Sequence, residues 1–346
     1  MVVPAMEGKV DVPSRGQFRG CLVGQALGDA LGFMVEGQPP EICRGYIEER
    51  LGRGKAGGHR RGPFAFGQYS DDTQLARELL QSYVARARFD PEDYAHRIAA
   101  IFSEDRIVGR GRSTEEAAKR LALGVPWDEA GTPPPSAGNG SAMRAGPIGL
   151  LYHDDPEGLV WAATEQGIMT HADPRCSGGA IAIAGAVALA LRGHPVEPAP
   201  FLAHLAKLAE EVEPRFAACL RRLERWLPLP PEEAVTRISE EGLEPEPAHT
   251  WRGLSPFVVG SVLWSLYSFL RSPDDYRETI RTAISVGGDV DTTAAMAGAI
   301  SGTRLGLAAV PPNLSRCLTD RGTWGLAELI ELADECYETK CGGSGL

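Results

Sequence analysis

Residues Cys176 to Leu191 carry no charged side chain, and they follow a helix-start signal, Asp173-Pro174, that places a cap residue before a first-turn proline. A helix that is apolar all round must be covered all round, so the rest of the chain has to wrap this segment. The run is short for a bilayer span and holds Ser and Gly. The second uncharged run, Gly253–Leu270, is similar and also holds Pro256. Both read as buried helices. The N-terminus lacks an apolar signal core, so a soluble cytoplasmic protein is expected.

Elsewhere apolar residues recur at spacings of three and four more often than at two. The pattern predicts helices over Thr73–Val84, Pro91–Phe102, Thr114–Leu123, Leu159–Met169, Pro174–Leu191, Pro214–Trp226, Ser255–Leu270, Pro273–Val286, Thr292–Leu305 and Thr323–Tyr337. Asp90-Pro91 and Ser272-Pro273 supply further start signals. No segment is bounded like a hairpin. Gly37–Gly67, Val108–Ser113, Pro126–Ser141, Pro195–Pro200, Pro228–Pro231 and Glu241–Arg252 read as irregular. The expected fold is all-α: a compact single domain of a dozen or so helices around one central buried helix. The expected layout is a flexible extension over 1–16, the catalytic domain over 17–340 and a flexible tail over 341–346.

The net charge of -11 argues against non-specific nucleic-acid binding. Seven cysteines without a C-x-x-C pair indicate neither a zinc ribbon nor a disulfide framework.

Four segments look chemical. Ser70-Asp71-Asp72-Thr73 opens a helix, where a Ser cap and first-turn acids are ordinary. Gly287-Gly288-Asp289-Val290-Asp291-Thr292-Thr293 repeats that combination some way downstream. Its paired glycines permit close backbone approach. Carboxylates from both clusters brought together without a cation would repel one another or take up protons. All-oxygen donors suit magnesium, manganese or calcium rather than zinc. Two such ions can orient a diol and activate a water. The third segment places Gly20, Gly24 and Gly28 on one helix face for close packing, with Asp29 and then Glu36 following. The fourth, Ser136 to Leu150, is a Gly/Asn/Ser loop running into a helix that offers N–H groups to an anion. It lacks the third glycine of the dinucleotide fingerprint.

In this order the segments GCLVGQALGDALGFMVE, GQYSDDTQLA, GNGSAMRAGPIGLL, THADPRCSGGAIAIAGAVALAL and VGGDVDTTAAMAGAISG resemble the ADP-ribosylglycohydrolase family. The matching stretches extend from residue 20 to residue 302. The resemblance implies an all-helical fold with two Mg2+ ions, Mn2+ being an alternative. It assigns Ser70, Asp71, Asp72, Asp289, Asp291 and Thr292 as metal ligands; Ser70 stands where the family often has Thr. Glu36 matches the family's mobile glutamate, and either Glu36 or Asp72 would handle the catalytic protons. Ser136, Gly138, Asn139, Gly140 and Ser141 match the diphosphate loop, and Met143 and Arg144 just beyond it are expected to bind substrate as well. His171 matches a histidine near the substrate, and Gly109 opens the other substrate loop. The basic 52–62 stretch is not required by the family pattern.

The implied activity is hydrolysis of the bond between ADP-ribose and a modified protein side chain, with arginine favoured. Its partners would be the ADP-ribosylated protein and the ADP-ribose product, with no membrane or nucleic acid, and the protein is expected to be a monomer. The alternatives are a serine-linked or O-acetyl-ADP-ribose hydrolase, or a non-catalytic binding relative such as an immunity or crystallin-like protein.

Overall fold

A computed structural model describes residues 12–193, 195–242 and 251–342. The outer parts of the expected extension and tail (1–11 and 343–346), and 243–250 of the expected loop, lie outside the described residues. Sixteen α-helices account for most of the rest. In chain order they are α1 Arg15–Phe33, α2 Pro40–Ile47, α3 Asp71–Arg86, α4 Pro91–Ser103, α5 Arg112–Ala122, α6 Gly146–Leu151, α7 Pro156–Ile168 and α8 Pro174–Ala190. They continue as α9 Pro198–Ala209, α10 Pro214–Leu223, α11 Pro231–Glu240, α12 Val258–Arg271, α13 Tyr276–Ile284, α14 Val290–Leu305, α15 Pro312–Ser315 and α16 Leu326–Cys341.

The uncharged helix α8 is central. It packs against α6, α7, α9, α10, α12 and α14, and nearly all its side chains are buried. Asp173 caps it by accepting from Arg175 N, with Pro174 in its first turn. The other uncharged run supplies α12, which is buried from Val258 to Leu270.

The closest helix pair is α1 with α14, which run antiparallel. Gly20 meets the Gly302 carbonyl, Gly24 that of Gly298, Gly28 that of Ala294, and Gly32 the backbone of Asp291. A Cβ at any of these positions would overlap the partner's backbone. Tyr276 Oη on α13 closes the seam on the Gly24 carbonyl at 2.7 Å. The spacing-four glycines therefore carry one helix, backbone to backbone, up to the acidic N-terminus of another.

Local rules misplace some boundaries. The Ser272-Pro273 signal is not the start of α13. Asp275 caps that helix by accepting from Glu278 N, because Ser272 N instead bonds the Phe269 carbonyl at the end of α12. Helix α2 lies inside the stretch read as irregular. So does a two-residue antiparallel ladder, β1 Arg60–Arg61 with β2 Phe64–Ala65, turned by Gly62-Pro63. Helices α9 and α11 begin at prolines taken for loop, because proline suits the first helical turn as well as a turn between elements.

Candidate active site

The N-termini of α3 and α14 open onto one cleft of about 720 Å³, a volume suited to a nucleotide-sized ligand. Asp71 and Asp72 enter from α3, Asp289, Asp291 and Thr292 from the start of α14, and Glu36 from the turn after α1. Asp71 and Asp289, far apart in sequence, therefore face the same space.

The α3 end is held by side chains. Ser70 accepts from Asp72 N as the N-cap. From α1, Asp29 accepts from Ser70 N at 2.9 Å, Thr73 N at 3.0 Å and Thr73 Oγ1 at 2.6 Å. Asp29 is fully buried, so it is a second cap delivered by another helix rather than a solvated acid. Ser70 Oγ donates to Asp72 Oδ2 at 2.8 Å, and Thr292 Oγ1 reaches the same oxygen at 3.5 Å, which links the two clusters.

The α14 end is held by backbone. Gly287 and Gly288 take φ of +73° and +87°, a region that L side chains rarely adopt. Their neighbours fill the space a Cβ would need: Gln38 and Pro39 at Gly287, Leu254 at Gly288. Gly37 N donates to Gly288 O at 2.8 Å, and Asp289 N to Leu254 O at 2.9 Å. Asp289 does not cap its own helix; it accepts from Asn139 Nδ2 at 2.5 Å.

Oxygens of Glu36, Asp289 and Asp291 lie within 4.8 Å of one another. Burial first, then neighbouring carboxylates, pushes Asp71, Asp72 and Asp291 well above the usual carboxylate range. Burial raises Asp289 to about 6, with Glu36 adding to the rise and the Asn139 amide opposing it. Burial raises Asp29 to about 6 as well, against the hydrogen bonds from Thr73 and Ser70. Asp72 Oδ1 is buried without a protein hydrogen-bond partner. An orphaned carboxylate oxygen, mutually repelling acids and hydroxyls with no His or Cys among them make a donor set that fits hard divalent cations.

Arginines ring the acidic floor. Arg61, Arg110, Arg112 and Arg175 line the cleft with Trp251 and Phe257. Of the basic 52–62 stretch only Arg61 does so. It pairs with Glu36 at 2.6 Å, donates to the Phe33 carbonyl at 2.7 Å and stacks on the Phe33 ring. Gly109, Ser136, Gly138, Asn139, Gly140, Met143 and His171 also line the cleft. Gly109, at φ +75°, passes so close to Asp71 that a Cβ would lie 2.9 Å from Oδ1. Its loop is tied to α3 where Val108 N donates to Gln74 Oε1 at 2.8 Å.

Three expected site residues stand behind the wall. Ser70 does not line the cleft, because its hydroxyl is engaged with Asp72. Ser141 Oγ donates to the Cys176 carbonyl, away from the cleft. Arg144 is 0% exposed, does not line the cleft and donates to Gln166 and Thr170, which corrects the expectation that it is a substrate-binding residue. Asn139 lines the cleft, but its amide is engaged with Asp289 and Ser261 Oγ. Sequence reasoning missed the capping by Asp29, for which only the neighbouring glycine seam gave a signal. It also missed Arg175 in the first turn of α8, Phe257 at the start of α12 and Trp251 in the preceding loop, single residues with no local pattern to mark them.

A family model described as ADP-ribosylglycohydrolase matches residues 11–343. ADP-ribosylhydrolase ARH3 of Gallus gallus is 32% identical over 95% of this chain and 95% of its own length. ADP-ribosylarginine hydrolase Tri1 of Pseudomonas putida (strain GB-1) is 26% identical over 92% of this chain and 77% of its own. A solved structure described as an ADP-ribosylglycohydrolase-related protein complex superposes with a TM-score of 0.71 at 28% identity, covering 94% of this chain and 98% of that one.

Proposed function

Because the chain belongs to the ADP-ribosylglycohydrolase family, we propose that it is a hydrolase of ADP-ribosyl bonds that frees ADP-ribose from a modified protein side chain, with arginine as the favoured linkage. The observation that carries this reading is the convergence of Glu36, Asp71, Asp72, Asp289 and Asp291 on one cleft rimmed by arginines. A site for a neutral ligand has no use for so many costly carboxylates, and an acidic floor alone would repel a diphosphate.

Asp71, Asp72, Asp289, Asp291 and Thr292, with Ser70 at the margin, would hold two divalent cations, magnesium first and manganese second. When bound, such ions supply Lewis-acid charge that orients the ribose hydroxyls and favours ionisation of water. The protein's own groups divide the remaining work. Cleavage at C1 of the ribose develops positive charge at the anomeric carbon, and the carboxylate floor stabilises it. Glu36 is the one partly exposed carboxylate of the group, held by Arg61 at the cleft edge. It would take a proton from the attacking water. Arg112 and Arg175 at the mouth, with the Gly138–Gly140 backbone, would meet the diphosphate.

Release of free ADP-ribose from arginine-linked, serine-linked and O-acetyl substrates, with and without a chelator, tests the reading. Chelator-sensitive release from the arginine-linked substrate is expected. Preference for another substrate reassigns the linkage, and binding of ADP-ribose without release from any of them points to a binding protein. Glu36→Ala is expected to leave weak turnover while retaining cation binding by calorimetry. An unchanged catalytic rate would remove Glu36 from the proton-handling role.

A further inference from the structure

Arg144 is fully buried on the segment leading into α6, with no carboxylate in hydrogen-bond contact. An unpaired cation in a protein interior is costly, so one that persists needs an account. Its Nε donates to Gln166 Oε1 at 2.9 Å, and its Nη2 to Gln166 O at 2.6 Å and Thr170 Oγ1 at 2.7 Å. Thr170 Oγ1 in turn lies 2.9 Å from His171 Nδ1. The His171 ring reaches the cleft, and its Nε2 faces the Gly138 and Gly140 backbone. Nε2 has no hydrogen-bond partner among the described residues.

The direction of this chain follows from counting protons. Arg144 can only donate, so Thr170 Oγ1 accepts from it and has one proton left to give. Its two candidate acceptors are His171 Nδ1 at 2.9 Å and the Gly167 carbonyl at 3.4 Å. That carbonyl already accepts from Thr170 N and His171 N. The shorter and less crowded bond wins, and Nδ1 is the acceptor. Electrostatics agree: a lone pair at Nδ1 faces the Arg144 cation, whereas an N–H there would aim a positive dipole at it. Burial, with Arg144 as the second cause, also lowers His171 to about 3, so the ring is neutral at neutral pH.

We propose that Arg144 is a positioning residue which, through Thr170, fixes His171 as the Nε2–H tautomer and makes it a hydrogen-bond donor into the cleft beside the Gly138–Gly140 loop. The ring then serves an acceptor oxygen of the ligand and neither takes nor gives a proton during turnover. That ligand consequence rests on the ADP-ribose reading above; the tautomer does not.

Long-range proton–nitrogen NMR of the 15N-labelled full chain, without ligand, decides it. In the wild type His171 is expected to show a protonated Nε2 and an unprotonated, hydrogen-bonded Nδ1 at neutral pH. A proton on Nδ1, or a doubly protonated ring, would overturn the proposal. Thr170→Val should move the Nδ1 resonance toward that of an unbonded nitrogen, and Thr170→Ser should restore it. An Nδ1 resonance unmoved by Thr170→Val would equally overturn it. Titration with ADP-ribose should show about tenfold weaker binding for Thr170→Val and near-wild-type binding for Thr170→Ser, the loss expected for one neutral hydrogen bond. If the wild type shows the expected tautomer but binds no ADP-ribose, the functional reading fails and the relay stands.

Discussion

The N-termini of α3 and α14 deliver the same kind of group to the same cleft and are held in opposite ways. At α3 the support is side chain: the Ser70 cap and the buried Asp29 carboxylate reaching across from α1. At α14 it is backbone: two left-handed glycines stitched to Leu254 and Gln38, with the Asp289 carboxylate left free of capping duty and bonded to Asn139. The glycine seam of α1 joins the two ends, because that helix carries Asp29 and abuts Asp291. A fixed carboxylate cluster can thus be built either by spending a buried acid as a cap or by a turn only glycine can make.

The seam is where this contrast breaks most severely. Gly28→Val would drive a branched side chain into the Ala294 carbonyl, at a cost of about 3 kcal/mol or more. Loss of a cooperative thermal transition by circular dichroism is expected, and a protein melting like wild type would show that the helices can move apart. Next come the carboxylates. Asp72→Asn and Asp289→Asn should each lower ADP-ribose release about a hundredfold or more while the fold is kept. Near-wild-type turnover in either, with magnesium present, would remove that end from the mechanism.

A sharper comparison sets support against support. Asp29→Ala removes three accepted hydrogen bonds and should lower stability by about 2 kcal/mol, read by denaturant unfolding. Asn139→Ala removes the amide that steadies Asp289 and also bonds Ser261 Oγ. It should leave stability within about 1 kcal/mol while weakening cation binding about tenfold. The reverse ranking would mean that the α14 end, not α3, depends on side chains.

The smallest effect is a pH dependence. Without cations, the folded protein keeps protons on Asp29 and Asp289 up to about 6 that the unfolded chain releases near pH 4. Their contribution to stability is present at low pH and is lost as pH rises through that window. Cation binding needs the Asp289 carboxylate ionised, so magnesium should raise Tm by a few degrees more at pH 8 than at pH 5. An equal gain at both pH values would place the binding elsewhere.

Much of this was legible in the chain. The uncharged α8 had to be central, and Asp90 and Asp173 cap their helices as their Asp-Pro signals imply. The two acid-plus-hydroxyl motifs were visible because each sits at a helix start, where the run of apolar periodicity makes the change of chemistry plain. Ser272 misled because the same residues can end one helix as readily as begin the next. Arg144 misled for a different reason. Its neighbours in sequence line the cleft, but a helical turn points its side chain the other way, toward Gln166 and Thr170.

Helical class, the buried central helix, the close-packing glycine face and the two acidic helix starts were determined by sequence alone, since periodicity, capping and small-residue spacing act within a few residues of chain. Only the tertiary structure decided that those starts share a cleft, that Asp29 is a cap rather than a surface acid, and that a buried arginine orders His171. Each of these depends on which distant segment packs alongside, and that follows from the fit of the whole molecule rather than from any local stretch.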